Sequence, residues 1–176
     1  MSHVLDKFSY CPVCGSKDFQ VQSNKSKCCK SCGFEFFLNA SSAVAAFIIN
    51  TYGEVLVTKR KREPAKDMLD LPGGFCDIGE TIEEALVREV MEETCLQISK
   101  SSYFCSIPNS YLYSGFIVPT LDMFYICTVT NEDSLEAHDD VAASYWLAVE
   151  RLDEEEFGLY SIRKAVRLFK EKYLKT

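Results

Sequence analysis

Two Cys-x-x-Cys turns, Cys11-Pro12-Val13-Cys14 and Cys29-Lys30-Ser31-Cys32, fall within the first 40 residues of this 176-residue chain and limit what that stretch can fold into. Gly15 and Gly33 follow the two turns and supply the backbone freedom that lets four thiolates point at one centre. This is the spacing of a tetrahedral Zn²⁺ site, and four thiolates leave no open position for water, so the metal is expected to be structural. About 40 residues cannot bury enough apolar surface to fold well alone, so metal binding is expected to supply much of the stability. Cys28, next to Cys29, is an alternative ligand that breaks the pairing. We therefore divide the chain into a small zinc-binding segment, residues 1–40, and a main domain, residues 41–176.

Nine cysteines is an odd count, and Cys76, Cys95, Cys105 and Cys127 are scattered singly through apolar or helical stretches. Buried free thiols in a reducing compartment explain them better than a disulfide framework. Asp6 and Lys7 interrupt what would have to be an apolar leader, and no run of about 18 apolar residues occurs. A cytoplasmic location away from membranes is the expectation.

The net charge of −7 opposes loose electrostatic capture of nucleic acid. Residues 1–40 carry five lysines against three acidic side chains, +2, which leaves −9 on residues 41–176. An acidic body that handles a polyanion needs divalent cations. Hydrophobic residues at 47% and aromatics at 12% suffice for a sizeable core.

Strands are predicted on either side of the Asn50–Gly53 turn, over Ala43–Ile49 and Glu54–Lys59, and again around Gln97–Ser106, Leu121–Thr130 and Ala143–Val149. Thr81 and Glu84 form a capping box for a helix running to Thr94, with Ile82, Ala85, Leu86, Val90 and Met91 as its apolar stripe. A final helix is predicted over Ser161–Leu174.

On the first helix Glu89, Glu92 and Glu93 lie at i, i+3 and i+4 and share a face. Like charges at these spacings repel by a few tenths of a kcal/mol per pair, so something must offset them. Oxygen-only ligands on a rigid element suit Mg²⁺ or Mn²⁺ bridging carboxylates to substrate phosphates. Leu71-Pro72-Gly73-Gly74 precedes the helix and can bring backbone close to a metal or phosphate.

With Gly74, Glu80, Arg88, Glu89, Val90, Glu92, Glu93, Cys95 and Leu96, the segment resembles the Nudix box, G-x5-E-x7-R-E-U-x-E-E-x-G-U with U aliphatic. Every fixed spacing is met, and the one departure is Cys95 where the family has Gly. The resemblance implies an α/β fold, an α/β/α sandwich around a mixed sheet, preceded here by a zinc ribbon. It also implies hydrolysis of a nucleoside diphosphate linked to another moiety. Glu89, Glu92 and Glu93 would be metal ligands, with the Gly73 carbonyl a further one and Glu80 in support; Arg88 would orient the glutamates by ion pairing. Glu89 is the first choice of general base. The second is Asp140, shortly before Tyr145-Trp146, where relatives often carry a loop acid; His138 beside it reads as an ordinary loop residue. Arg60 and Lys66, from the one basic cluster of the acidic body, are candidates for holding a distal phosphate.

The order of ribbon and Nudix domain is similar to that of NADH pyrophosphatases, whose downstream signature is S-Q-P-W-P-F-P-x-S. Ser106, Pro108 and Ser114 match it, whereas Ile107, Asn109 and Tyr111 replace its Gln, Trp and Phe. An ADP-containing small conjugate such as ADP-ribose or a dinucleotide is therefore the expected partner, with Tyr111 and Tyr113 as stacking candidates. Nucleotide-capped RNA draws on the basic ribbon but is opposed by the net charge. A homodimer is compatible with the sequence. The alternative function is a noncatalytic nucleotide sensor, against which the complete glutamate set argues.

Overall fold

The computed structural model describes residues 3–139 and 141–174. The N-terminal segment forms three antiparallel strands, β1 (Phe19–Ser23), β2 (Ser26–Cys29) and β3 (Glu35–Phe37), in that order. Its own core is small, namely Cys11, Phe19 and Cys29 with Phe34 and Phe36 against them, as the length predicts. It joins the main domain through Phe8, whose ring meets Phe116 edge-on at 5.3 Å while its carbonyl accepts from Lys27 of β2 at 2.7 Å. Lys7 donates to the Gly115 carbonyl beside that contact.

The main domain is an α/β/α sandwich of the expected class. Strand β4 (Ser41–Ile48) lies inside a four-stranded sheet, parallel to β9 (Phe116–Val129) and antiparallel to β7 (Gly73–Phe75). Its alternation assigns the two faces. Ala45 and Phe47 enter one core, Val44, Ala46 and Ile48 the other. On the first face lies α2 (Tyr160–Tyr173), whose Ile162, Ala165, Val166 and Phe169 repeat at helical spacing; Phe169 stacks on Phe47 at 4.3 Å. On the second lies α1 (Ile82–Thr94), burying Ala85, Leu86 and Val90, whereas Met91, predicted on this stripe, is 36% exposed. The Thr81–Glu84 capping box is present in both directions.

Strand β5 (Glu54–Arg60) follows the Asn50–Gly53 turn but leaves its neighbour after one bridge, Ile49 to Val55, and joins a second sheet between β6 (Leu69–Asp70) and β10 (Val141–Ala148).

The largest departure from the sequence pattern is β8 (Ile98–Tyr113), which runs seven residues beyond the predicted end at Ser106 and pairs along its length with β9. Pro108, within the added stretch, sits on the edge strand of the sheet, where a missing donor is tolerated. The turn is Ser114-Gly115, with φ of 48° and 72°, the two positive values that tighten a two-residue hairpin. Tyr111 and Tyr113 thus stand on a strand.

Candidate active site

The two glycines of the Leu71–Gly74 segment enter the sheet as β7, paired with Ala45 and Val44, and this brings them against the C-terminal half of α1. Gly73, at φ 149°, faces the Val44 carbonyl so closely that any side chain would collide with backbone. Its amide donates to Glu93 Oε2 at 3.0 Å. A β-carbon on Gly74 would fall among the carboxylate atoms of Glu89, 2.5 Å from Oε1. Gly74 thus leaves space for Glu89, and Gly73 holds Glu93 through its amide.

Arg88 binds the other carboxylates together. Its Nε and Nη2 donate to the two oxygens of Glu80 at 2.8 and 2.9 Å, its Nη1 to Glu89 at 2.8 Å and Glu92 at 3.1 Å, and its Nη2 also to the Phe75 carbonyl at 3.0 Å. These bonds hold Glu80 below the ordinary carboxylate range and drive Arg88 upward. Arg88 thus contacts three of the four box glutamates, Glu80, Glu89 and Glu92. Glu89 is half-buried, and desolvation lifts its proton affinity despite Arg88. Glu93 lies deeper; burial, followed by the charges of Asp70, Glu89 and Asp139, pushes it up to about 8 even with the Gly73 amide bonded. Two carboxylates costly to ionise, side by side and bearing only oxygen donors, fit a divalent cation of the Mg²⁺ or Mn²⁺ class.

These groups line one wall of a cleft of about 470 Å³. Arg60, Tyr111 and Tyr113 line the same cleft, so it holds three of the four residues predicted as substrate contacts. Arg60 is not a free cation. It pairs with the buried Asp70, donates to the Pro64 carbonyl at 2.7 Å and reaches Tyr111 Oη at 3.3 Å. Lys66 is exposed and lies outside the residues lining the cleft. Asp140 falls outside the described residues; its neighbour Asp139 lines the cleft, and its carbonyl accepts from Lys61 at 3.1 Å.

A polar floor was missed from the sequence. Asp122 is buried on β9 and accepts from Thr120 at 2.5 Å, Ser161 at 2.5 Å and Asn109 at 3.1 Å. Asp70, buried with a proton affinity raised first by desolvation, completes it. The available signal was a charged residue inside an apolar strand run, Leu121-Asp122-Met123-Phe124.

In the N-terminal segment the Sγ atoms of Cys11, Cys14, Cys29 and Cys32 all lie within 4.8 Å of one another, with Cys11 to Cys32 at 3.7 Å and Cys14 to Cys29 at 3.6 Å. Four sulfurs about 2.3 Å from a tetrahedral centre sit roughly 3.8 Å apart, so the donors fit zinc. Cys28 turns instead toward the Cys29 and Gly33 carbonyls. All nine cysteines are free thiols.

Comparison with known proteins agrees with the geometry. The NUDIX domain model matches residues 40–169. The NAD-capped RNA hydrolase NudC of Haemophilus influenzae strain PittEE is 29% identical over 147 residues, 82% of this chain and 54% of that protein. The ADP-ribose pyrophosphatase of Methanocaldococcus jannaschii is 46% identical over 63 residues, 36% of this chain and 37% of that one. The chain thus spans about half the length, or less, of these curated relatives. Among solved structures, the NUDIX hydrolase of Nitrosomonas europaea superposes with a TM-score of 0.72 at 16% identity, covering 93% of this chain and 91% of that one. The glutamate helix against a double-glycine strand, on a sandwich that the family model matches over most of its length, makes this chain a member of the Nudix family.

Proposed function

We propose that the protein is a metal-dependent pyrophosphohydrolase that cleaves a nucleoside diphosphate linked to another moiety, of the ADP-ribose or dinucleotide type. The observation that carries this reading is the placement of Glu89 in the space left by Gly74 and of Glu93 on the Gly73 amide, all lining one cleft.

Glu89, Glu92 and Glu93, with the Gly73 carbonyl, would hold Mg²⁺ or Mn²⁺. A bound divalent cation neutralises diphosphate charge, polarises a P–O bond and acidifies water. The protein's own part is positional. Arg88 fixes Glu80, Glu89 and Glu92 relative to one another, and the Gly73 amide fixes Glu93. Glu89, with proton affinity raised by burial, is suited to accept a proton from the attacking water; Asp140 is the second candidate. Arg60, beside the Tyr111 hydroxyl and sharing its charge with Asp70, is the candidate to hold a distal phosphate, and Lys66 is an exposed second candidate outside the lining. Tyr111 and Tyr113 offer rings to a base or ribose. The four-cysteine cluster would hold one structural zinc.

A homodimer and a cytoplasmic location belong to the same reading. Among the described residues no helix is long and apolar enough to cross a membrane.

The NudC relative favours a second substrate class, NAD-capped RNA, against which the net charge of −7 weighs. A product-resolved assay with Mg²⁺ and with Mn²⁺ separates the readings. ADP-ribose, NADH and an NAD-capped oligonucleotide are compared by kcat/KM. AMP from ADP-ribose at a rate at least equal to that from NADH supports the proposal. Faster decapping of the oligonucleotide moves the assignment to RNA, and binding without turnover of any substrate identifies a sensor.

A further inference from the structure

The one residue of the glutamate-helix segment that departs from the family pattern is also in a costly conformation. Cys95 caps α1 at φ 58° and ψ 14°, left-handed backbone that favours glycine. It is held there from both sides. Its amide donates to the Met91 carbonyl at 3.0 Å, and its carbonyl accepts from the Asn131 side chain at 3.1 Å. The loop that supplies Asn131 then runs back along the helix end. There the Glu136 amide donates to the Thr94 carbonyl at 3.1 Å and the His138 amide to the Glu93 carbonyl at 3.0 Å.

These bonds bring together a thiol, a carboxylate and an imidazole. His138 Nε2 faces Glu136 Oε2 at 2.9 Å, and the donor atoms of Cys95, Glu136 and His138 all lie within 4.8 Å of one another. Around a tetrahedral Zn²⁺, with metal–donor bonds of about 2.0–2.3 Å, neighbouring donors stand roughly 3.3–3.7 Å apart, so small side-chain rotations would close the set. Glu136 and His138 are exposed, which leaves solvent access for water as a fourth ligand.

We propose that Cys95, Glu136 and His138 form a second transition-metal site, for Zn²⁺ or a similar borderline-soft divalent ion, distinct from the cysteine cluster and from the box glutamates. Sulfur and nitrogen donors discriminate it from a Mg²⁺ site. Asn131 and the backbone bonds already tie this loop to the helix end, and the ion would add a side-chain clasp between the C-terminus of α1 and residues 136–138. Asp139, on that loop, lines the catalytic cleft.

The test uses full-length protein with zinc in the cysteine cluster and saturating Mg²⁺, titrated with Co²⁺. Cobalt binds more weakly than zinc to the same donors, so the cluster keeps its metal. The box glutamates offer no sulfur. A near-ultraviolet thiolate-to-cobalt band therefore reports a cysteine ligand, and its loss in Cys95→Gly assigns it to Cys95 rather than to another free thiol such as Cys76. The expected result is a band that saturates at one equivalent, disappears in Cys95→Gly and needs at least tenfold more Co²⁺ in His138→Ala. Absence of the band in the wild type, or its survival in Cys95→Gly, overturns the proposal. If Cys95→Gly does not fold, unchanged titration of His138→Ala overturns it equally, because His138 is an exposed loop residue whose truncation leaves the helix intact.

Discussion

The Gly73 amide donates to the Glu93 carboxylate at 3.0 Å, while a β-carbon on the same glycine would collide with the Val44 carbonyl. Placement of the ligand and close packing of the sheet thus meet in one residue. At its neighbour Gly74 an added β-carbon would meet the carboxylate end of the Glu89 side chain. Two substitutions should therefore fail differently. Gly73→Ala meets backbone and is expected to cost about 3 kcal/mol of stability, or roughly 6–12 °C in Tm. Gly74→Ala displaces a side chain, so its Tm should stay within about 3 °C while Mg²⁺ affinity falls at least tenfold. Thermal scans paired with metal titrations check both.

Glu93 makes the metal-free protein pH-sensitive in a defined direction. Its carboxyl is raised to about 8 in the folded state, against an ordinary value of 4.5. Between those limits the folded chain keeps a proton that the unfolded chain releases. Stability from this group is complete below about pH 4.5 and is lost as pH rises through 8. A divalent cation needs the ionised form, so Mg²⁺ should bind more tightly as pH rises from 6 to 8 and release close to one proton at pH 7. Calorimetry in two buffers of different ionisation enthalpy measures that proton, and Glu93→Gln should remove it.

Glu89→Gln keeps the shape of the side chain and one acceptor for Arg88 but removes a ligand charge. Loss of kcat/KM by at least about 100-fold is expected, with Tm unchanged or higher, because a desolvated carboxylate has been replaced by a neutral amide. Near-normal turnover with excess Mg²⁺ would falsify the assignment of the site.

Tyr111 stands at the meeting of two contacts, the Phe75 ring edge-on at 5.5 Å and the Arg60 guanidinium at 3.3 Å from its hydroxyl. Tyr111→Ala should remove stacking worth roughly 0.5–1.5 kcal/mol and raise KM for an ADP conjugate about 2- to 12-fold, with kcat little changed. Tyr111→Phe should recover most of that, and steady-state kinetics of the pair distinguish stacking from the hydroxyl contact.

The elements that the sequence disclosed were those set by short-range rules. The capping box of Thr81 and Glu84, the i, i+3, i+4 glutamates and the paired cysteine turns each depend on neighbours within a few positions, and each stands as the spacing predicts. What escaped was set by partners far along the chain. The run of β8 past Ser106 rests on its pairing with β9, and the part played by Asp122 on the convergence of Asn109 and Ser161 upon it. Arg60 was legible as a cation but not as the partner of Asp70, ten residues on.

The junction at Phe8 and Phe116 carries a consequence for local opening. Phe116 begins the strand that pairs Tyr113 and, through Val118, Tyr111. Fraying of the hairpin tip would expose those amides to exchange, and the Phe8 ring and the Lys7 bond to Gly115 oppose it. Stripping the cysteine cluster should therefore raise deuterium uptake not only in residues 11–37 but also in residues 111–118, while α1 stays protected. The N-terminal segment and the tip of the hairpin would then open as one cooperative unit, separate from the glutamate helix.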